Sequence, residues 1–315
     1  MSACAAVAIE VDVLEKRFGA LTAVAGLSFS VRPGEIFGLV GPDGAGKTTA
    51  MRMLASVMRP DAGRIVIDGI DVLASPEQAK SHISYMPQRF GLYEDLTVDE
   101  NIRFYADLFD VPARVWQARA EKLLAAADMT PFRRRLAGQL SGGMKQKLGL
   151  ACSLVHTPKV LLLDEPTTGV DPLSRRKFWQ ILYSLRSEGV AMLISTAYLD
   201  EAERCDRIAM LNAGTMMYCD TPAALKERMP GAMLEIITPD PRAAHDAVRG
   251  LPGVRGVLMV GTGIHVHVDS GERRTQIAAA LTAAGIGIES LEEVAPSIED
   301  LFLALLEQDG AGEGG

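Results

Sequence analysis

A glycine-rich stretch in the first fifth of the chain has the residue types and spacing needed to hold phosphate groups. It reads GPDGAGKTT and matches the spacing G-x-x-x-x-G-K-S/T at Gly41, Gly46, Lys47 and Thr48. Glycines let a loop wrap closely around phosphates and present backbone N–H groups, and a helix start adds positive potential. The sequence therefore predicts that Lys47 reaches the β- and γ-phosphates of a nucleotide and that the Thr48 hydroxyl ligates Mg²⁺.

A pair of carboxylates follows a second apolar run, VLLLDEP, at residues 160–166. Four apolar residues ending in two acids predict a buried parallel strand that delivers Asp164 and Glu165 at its carboxyl end, where open α/β sheets bind ligands. We expect Asp164 to hold Mg²⁺, directly or through water, and Glu165 to orient and polarise an attacking water. Together with the glycine-rich loop, this pair indicates hydrolysis of a nucleoside triphosphate.

A third stretch, LSGGMKQKL, offers another helix start to an anion. Ser141 is a good N-cap, and Gly142 and Gly143 expose backbone N–H groups at the start of a helix that is expected to end near Pro158. One small domain does not need two phosphate-binding helix ends for one nucleotide. The sequence therefore indicates two chains that face each other and use both.

Apolar runs predict the elements that position these groups. Ile36 to Val40 form a run fit for a buried strand that leads into the glycine-rich loop. A helix is expected from about Thr48 until Pro60 stops it. A further strand, AMLIST, ends at Thr196.

In this order and spacing the three stretches resemble the Walker A, signature and Walker B motifs of ATP-binding cassette (ABC) ATPases, over roughly residues 9–228. The resemblance implies an α/β P-loop NTPase fold with an antiparallel β subdomain and a helical insert. It also implies that two cassettes enclose two ATP molecules head to tail. Each ATP is then held by the phosphate loop of one chain and the signature of the other.

The resemblance assigns roles to further residues. Phe18 matches the aromatic that stacks on adenine, Gln88 the Q-loop glutamine that contacts Mg²⁺ and the membrane partner, and Asp171 the D-loop. The ATP contacts implied in full are Phe18, Gly41, Asp43, Gly44, Ala45, Gly46, Lys47, Thr48, Thr49, Ser141, Gly142, Gly143 and Asp171. Glu165 and Gln88 are the catalytic residues it implies, and Thr48, Gln88 and Asp164 the ligands of Mg²⁺. Asp43 and Met144 stand where Asn and Gln are commoner, and neither change removes a backbone contact.

One position departs from the family pattern in a way that bears on catalysis. After the strand AMLIST the family has a switch histidine that contacts the γ-phosphate and the catalytic glutamate, and this chain has Ala197. Loss of a positioned transition-state contact costs on the order of 100- to 1000-fold in rate. Either Glu165 suffices in a homodimer, or this chain's own ATP site is degenerate and its signature serves an intact partner cassette. The sequence is similar to the first half of efflux ATPases that fuse two unequal cassettes, which favours the second interpretation.

Two further regions belong to the same domain as the three motifs. Residues 9–32 and 64–68 predict strands of the small antiparallel sheet, and a helical subdomain is expected over about residues 88–151, with its first helix entered through Thr97 and Asp99. In the family, a coupling helix of the membrane subunit docks on this insert. The nucleotide-binding domain, which includes the small sheet and the insert, is expected over residues 1–230.

The last part of the chain alternates strand and helix patterns. It predicts a small ferredoxin-like α/β domain over residues 231–306, which resembles the C-terminal extension of drug-export ABC ATPases, followed by a flexible tail at 307–315. His265 and His267 share one face of a strand, but no third ligand is nearby, so a structural role is favoured over a metal site.

Composition excludes several classes of function. A net charge of −8 disfavours a nucleic-acid partner, because phosphate neutralisation needs clustered Lys and Arg. No apolar run approaches the ~18 residues that span a bilayer, and the opening segment lacks the basic start of a signal peptide. Four scattered cysteines indicate neither a zinc site nor disulfides. The protein is expected to be cytoplasmic and peripheral on the cytoplasmic face of the cell membrane.

The function expected from these features is that of the ATP-binding subunit of an ABC exporter. ATP binding and hydrolysis at a head-to-tail cassette dimer would drive export, of a drug or another hydrophobic compound, through a separate membrane (permease) subunit. Lipid, ion or polysaccharide export stays open, because substrate contacts in this family lie in the permease. The alternatives are a catalytically impaired cassette that completes the site of a partner, or a soluble ABC ATPase without a transport role.

Overall fold

The computed structural model describes residues 7–89, 91–302 and 304. The chain divides into two compact units. The cassette unit contains the residues up to Tyr198 together with Cys205–Cys219, and the C-terminal unit contains Leu199–Arg204 together with the residues from Asp220 onwards. The expected division at 230/231 stays a prediction, and the tail at 307–315 lies outside the described residues.

The elements are numbered in chain order. The strands are β1 Ile9–Phe18, β2 Leu21–Val31, β3 Ile36–Val40, β4 Ala62–Ile67, β5 Ile70–Asp71, β6 Ile83–Met86, β7 Val160–Asp164, β8 Ala191–Thr196, β9 Arg207–Asn212, β10 Thr215–Asp220, β11 Ala232–Ile237, β12 Val254–Val260, β13 Gly263–Val268 and β14 Ser290–Val294. The α-helices are α1 Lys47–Leu54, α2 Pro76–Lys80, α3 Val98–Leu108, α4 Ala113–Ala126, α5 Gly142–Leu154, α6 Pro172–Ser187, α7 Leu199–Ala202, α8 Pro222–Glu227, α9 Pro241–Val248 and α10 Arg274–Ala283. Short 3₁₀ turns lie at Thr130–Phe132, Ala137–Gln139 and Gly271–Arg273.

A largely parallel sheet forms the centre of the cassette unit, in the strand order β10-β9-β3-β8-β7-β6. Strand β3 pairs in parallel with β8 and β9, and β7 pairs in parallel with β6 and β8. Every residue of β3, β7 and β8 is buried, as expected for strands covered on both faces. Because their carboxyl ends meet at one edge, the segments after these three strands lie side by side.

An antiparallel sheet adds a second layer to the cassette unit, in the order β2-β1-β4-β5. It includes the strands expected at 9–32 and 64–68, and its apolar side chains share a core with the parallel sheet and α1. The expected end of α1 at Pro60 is wrong. The helix ends at Leu54, because Ser56 takes a left-handed conformation (φ 55°) and the Val57 N–H bonds back to the Arg52 carbonyl.

The region expected to be helical contains α3, α4 and α5. Thr97 caps α3 as predicted, through a capping box in which its hydroxyl accepts from the Glu100 N–H and the Glu100 carboxylate accepts from the Thr97 N–H. Helical structure begins at Val98 rather than near Gln88, and α5 runs beyond position 151 to Leu154.

The C-terminal unit contains an antiparallel sheet in the order β12-β13-β11-β14. With α9 after β11 and α10 after β13, this is the β-α-β-β-α-β arrangement of a ferredoxin-like fold, as the sequence predicts. The stretch IGIESLEEV is extended only at Ser290–Val294, because the Ile286 N–H still bonds to the Leu281 carbonyl at the end of α10.

Both histidines of β13 contact groups within this unit. His265 Nδ1 lies 3.1 Å from a carboxylate oxygen of Asp300, and this hydrogen bond raises the pKa of the imidazole. His267 Nε2 lies 2.7 Å from the Pro230 carbonyl. Across residues 7–89, 91–302 and 304, no group of three His, Cys, Asp or Glu side chains could hold a metal ion. The structural role favoured for these two histidines stays a prediction.

The remaining sequence expectations concern membranes and cysteines. Among the helices of the described ranges, none has both the length and the apolar character that crossing a membrane requires. Cys152 and Cys205 are buried and Cys219 is half-buried, while Cys4 lies outside the described residues.

Candidate functional site

The glycine-rich loop connects β3 to α1 and is packed against neighbouring backbone. Gly46, which precedes α1, has φ 100°, and a Cβ added there would lie 2.3 Å from the Ala23 carbonyl oxygen. A Cβ at Gly41 would lie 2.3 Å from the Leu211 carbonyl oxygen. Backbone bonds from Ala25 N–H to Gly214 and from Gly214 N–H to Ala45 tie the same loop to β2. Only glycine fits at these two positions, and the close contacts fix the path of the loop between β3 and α1.

Lys47 begins α1 with its side chain only 4% exposed. Its ammonium donates to the carbonyl oxygens of Gly41 (2.8 Å) and Pro42 (3.0 Å) and lies 3.5 Å from Glu165 Oε1. The two carbonyls are neutral and do not cancel the positive charge of the ammonium. Lys47 can therefore attract the oxygens of a phosphate group.

Asp164 ends β7 with its carboxylate almost wholly buried. Oδ1 accepts from the Thr48 hydroxyl at 3.0 Å and from the Ser195 hydroxyl at 2.6 Å. Oδ2 accepts from the Tyr85 hydroxyl at 3.2 Å. Burial, followed by the charge of Asp164, raises the pKa of Tyr85 to about 12, so the phenol stays protonated and donates.

Carboxylate and hydroxyl oxygens are the ligands that Mg²⁺ prefers. The 3.0 Å contact between Thr48 and Asp164 places two such groups together beside the phosphate loop. The residues present therefore fit a magnesium ion bound next to phosphates.

Glu165 follows β7 in a left-handed backbone conformation (φ 48°), which is uncommon for a residue with a Cβ. Its N–H bonds to the carbonyl (3.1 Å) and the hydroxyl (3.0 Å) of Ser195. Its carboxylate accepts from Gln88 Nε2 at 2.9 Å and from the Thr168 hydroxyl at 3.4 Å. The carboxylate is thus held between Lys47 and Gln88.

A cavity of about 460 Å³ brings most of the predicted site residues together. We call it the phosphate cavity; it is lined by Phe18, Leu21, Ala23, Asp43, Gly44, Ala45, Gly46, Lys47, Thr48, Thr49, Gln88 and Glu165. Gly41 and Asp164 do not line the cavity but adjoin it, through bonds from Lys47 and Thr48. Phe18 is 47% exposed, with the Lys16 ammonium 5.8 Å from its ring centre. An exposed ring at one side and buried charges at the other suit a ligand with an aromatic base and a phosphate chain.

Four predicted contacts lie in a second region, the signature end, formed by Ser141–Gly143 and Asp171. None of these residues is among those that line the phosphate cavity in the described ranges. The Ser141 hydroxyl accepts from Met144 N–H at 3.3 Å, and Asp171 caps α6 by accepting from Ser174 N–H at 2.9 Å. That hydrogen bond lowers the pKa of Asp171. A Cβ on Gly143 would lie 2.8 Å from the Ser174 hydroxyl, so α5 and α6 begin in close contact.

Ala197 follows β8 and is exposed. The N–H of the next residue, Tyr198, bonds to the Thr196 hydroxyl at 2.9 Å, and its ring lies 4.6 Å from the Arg175 guanidinium. The five histidines of the sequence are at positions 82, 156, 245, 265 and 267, so none follows β8.

Three residues that contact the carboxylates were not predicted from the sequence, namely Tyr85, Thr168 and Ser195. Thr168 is a local contact, three residues after Glu165. For Tyr85 and Ser195 the signal is the strand order, because β6 and β8 pair with β7 and Ser195 lies opposite Asp164. A sequence that does not reveal which strands are neighbours cannot identify this pair.

Known proteins resemble both units of the chain. Residues 24–168 match the family model described as ABC transporter. Residues 221–306 match the model described as ATP-binding protein DrrA1-3-like, C-terminal domain. A solved structure described as the ATP-binding subunit of an ABC transporter is 29% identical, with a TM-score of 0.65 over 70% of this chain and 92% of its own.

Curated relatives extend over nearly the whole chain. The probable multidrug ABC transporter ATP-binding protein YbhF of Escherichia coli (strain K12) is 43% identical over 97% of this chain, which spans only 53% of that relative's length. The daunorubicin resistance ATP-binding protein DrrA2 of Streptomyces coeruleorubidus is 35% identical over 95% of this chain and 94% of its own. The Nod factor export ATP-binding protein I of Burkholderia orbicola (strain AU 1054) is 43% identical over 74% of this chain and 77% of its own. These matches confirm the predicted family and fold: the chain belongs to the ATP-binding proteins of ABC transporters.

Proposed function

We propose that this protein is the ATP-binding subunit of an exporter and that it hydrolyses ATP to drive export through a separate permease. The observation that carries this proposal is the phosphate cavity. It is lined by the buried ammonium of Lys47, by Thr48 and by the Glu165 carboxylate, and the Thr48 hydroxyl bonds to the buried carboxylate of Asp164. These are the groups required to bind a triphosphate, hold its metal ion and activate water.

Each group has a distinct task in this proposal. Phe18 stacks on adenine, the backbone N–H groups of residues 41–49 bind the phosphates, and Lys47 contacts the β- and γ-phosphates. Thr48 and Asp164 hold Mg²⁺ with Gln88 nearby, and the ion neutralises charge on the phosphates when it is bound. Glu165 accepts a hydrogen bond from water and directs it toward the γ-phosphate. The Gln88 amide, 2.9 Å from the Glu165 carboxylate, helps to orient it.

A second cassette is required for the complete site. Ser141–Gly143 and Asp171 present hydroxyl, backbone N–H and carboxylate groups away from the phosphate cavity of their own chain. We infer that they contact ATP bound to the phosphate loop of a facing cassette, either a second copy or a non-identical partner. Closure of two cassettes around two ATP molecules is then the movement transmitted to the permease, on the cytoplasmic face of the membrane.

The exported compound is inferred from the relatives alone. Proteins named for multidrug transport, daunorubicin resistance and Nod factor export are 35–43% identical to this chain. A drug or another hydrophobic compound is therefore the proposed cargo.

A second candidate function follows from Ala197. The exposed methyl group after β8 cannot make the hydrogen bonds that an imidazole makes with a phosphate or with Glu165. This chain also spans about half of the Escherichia coli relative's length. In this alternative it binds ATP without turning it over and supplies Ser141–Gly143 to a competent partner cassette.

The ATPase rate per chain, measured over a wide range of protein concentration, separates the two candidates. A specific rate that climbs and then levels off is expected if two identical chains form working sites. A rate near zero throughout, with ATP still bound, favours the alternative. Glu165→Gln is the control for contaminating ATPase. A chain that binds no ATP at all would contradict both candidates.

A further inference from the structure

Ser195 is a buried hydroxyl that joins the two reactive carboxylate residues. It lies in β8 directly opposite Asp164 of β7 and is not exposed to solvent. Its hydroxyl donates to Asp164 Oδ1 at 2.6 Å and accepts from the Glu165 N–H at 3.0 Å. The hydroxyl has a single proton, and that proton is committed to Asp164.

The contact with Glu165 supports an unfavourable backbone conformation. A left-handed φ of 48° persists in a residue with a Cβ only where surrounding contacts fix it. The Glu165 N–H makes two bonds, and both go to Ser195, one to its carbonyl and one to its hydroxyl. Ser195 therefore fixes the direction in which the Glu165 side chain leaves the backbone.

The contact with Asp164 is a short, charge-assisted hydrogen bond in a dry environment, where such bonds are strong. Oδ1 has two donors, Ser195 and Thr48. The Thr48 oxygen is also the expected ligand of Mg²⁺. Ser195 is not an expected ligand, so its hydrogen bond can hold Oδ1 of Asp164 when Thr48 binds the metal.

We propose that Ser195 is a positioning residue that couples the metal-holding carboxylate of Asp164 to the backbone of Glu165, so that Mg²⁺ affinity and hydrolysis depend on one buried hydroxyl. The proposal rests on the proposed ATP site. The Ser195 hydroxyl bonds to Asp164 and to the Glu165 N–H, and the Ser195 backbone pairs with Leu39 of β3, before the phosphate loop begins. Loss of the Ser195 hydroxyl should therefore weaken the metal-dependent part of nucleotide binding. The affinity that Lys47 and the loop supply should stay unchanged.

The test compares Ser195→Ala with the wild type by titrating a fluorescent, non-hydrolysable ATP analogue with Mg²⁺ present or with EDTA. In EDTA the affinity of Ser195→Ala is expected to stay within about twofold of wild type, because Lys47 and the loop are unchanged. The Mg²⁺ concentration that gives half of the metal-dependent tightening is expected to rise at least about tenfold, as when other groups behind a metal ligand are removed. A matching change is expected in the electron paramagnetic resonance spectrum of Mn²⁺ bound with the analogue.

Two further variants assign the effect to the hydroxyl. Ser195→Thr keeps the oxygen and is expected to restore most of the Mg²⁺ dependence. Ser153→Ala is the matched control, since Ser153 is equally buried in α5 and its hydroxyl has no hydrogen-bond partner among the described residues. It is expected to behave as wild type.

The proposal is overturned if Ser195→Ala keeps the wild-type Mg²⁺ dependence. It is also overturned if affinity falls by the same factor with Mg²⁺ and with EDTA, or if Ser195→Thr behaves as Ser195→Ala does. Failure of the proposed ATP site is distinguishable, because the wild type would then show no Mg²⁺-dependent binding of the analogue.

Discussion

The phosphate cavity and the signature end are built from different kinds of group. In the cavity, buried charges satisfy one another, with the Lys47 ammonium between two carbonyls and Glu165. At the signature end, Ser141 and Asp171 are exposed, and their side chains accept hydrogen bonds from the starts of their own helices. The described residues that line the cavity come from one chain, and those of the signature end are not among them. We infer that nucleotide binding is a property of one chain and that turnover depends on two.

Glu165→Gln gives the largest expected change and separates binding from turnover. The amide keeps the size of the side chain but cannot attract a proton from water. We expect turnover to fall on the order of 100- to 1000-fold, with nucleotide affinity close to wild type. Steady-state ATPase rates and analogue titration measure the two quantities, and Glu188→Gln, at an exposed position that ends α6, is the control. An unchanged rate would show that the measured hydrolysis does not come from the Glu165 site of this chain.

Lys47→Ala acts on the cavity itself. It removes a buried ammonium whose hydrogen bonds to phosphate oxygens are charge-assisted, so we expect nucleotide affinity to fall roughly 100-fold. Equilibrium binding of a fluorescent analogue measures this loss. Lys145→Ala is the control, because that ammonium is more exposed and pairs with Glu94. Wild-type affinity in Lys47→Ala would contradict the assignment of the cavity.

Ala197→His tests whether the cavity lacks one catalytic group. The position is exposed, so an imidazole can be added without displacing the core. We expect turnover to rise at least about tenfold, because a grafted side chain recovers only part of the 100- to 1000-fold that a positioned contact gives. Ala197→Gln controls for added volume. A rate that does not change in Ala197→His would show that the missing imidazole does not limit turnover.

Ser141→Ala tests the signature end and has the smallest expected effect. Loss of an N-cap lowers the free energy of unfolding by about 1 kcal/mol, and Thr221→Ala, which removes the cap of α8, should cost a similar amount. Only Ser141→Ala should also lower turnover. The expected factor is about fivefold if the lost contact with ATP is also worth about 1 kcal/mol. Thermal unfolding and ATPase rates report the two effects. Equal turnover in both variants would argue against a contact between the signature end and ATP.

The sequence predicted the parts of the site that depend on local pattern. Strands β3, β7 and β8 follow from short apolar runs, and the caps Thr97 and Ser141 follow from residue type. The bonds that join Ser195 to Asp164 and Glu165 could not be predicted, because they depend on the order of strands in the sheet. The end of α1 was missed for a different reason. Proline predicts where a helix cannot continue, but Ser56 ends it earlier through a backbone conformation that its residue type does not favour.

The close contact between β2 and the phosphate loop has a kinetic consequence. The Ala23 carbonyl fills the space where Gly46 would carry a side chain, and Gly214 bonds to backbone on both sides. Phe18 of β1 pairs with Leu21 of β2, so its position is coupled to that of the loop. We therefore expect a nucleotide to enter a preformed phosphate cavity in a single bimolecular step. In stopped-flow experiments the observed association rate should then rise linearly with nucleotide concentration, without the plateau that a slow opening step would impose.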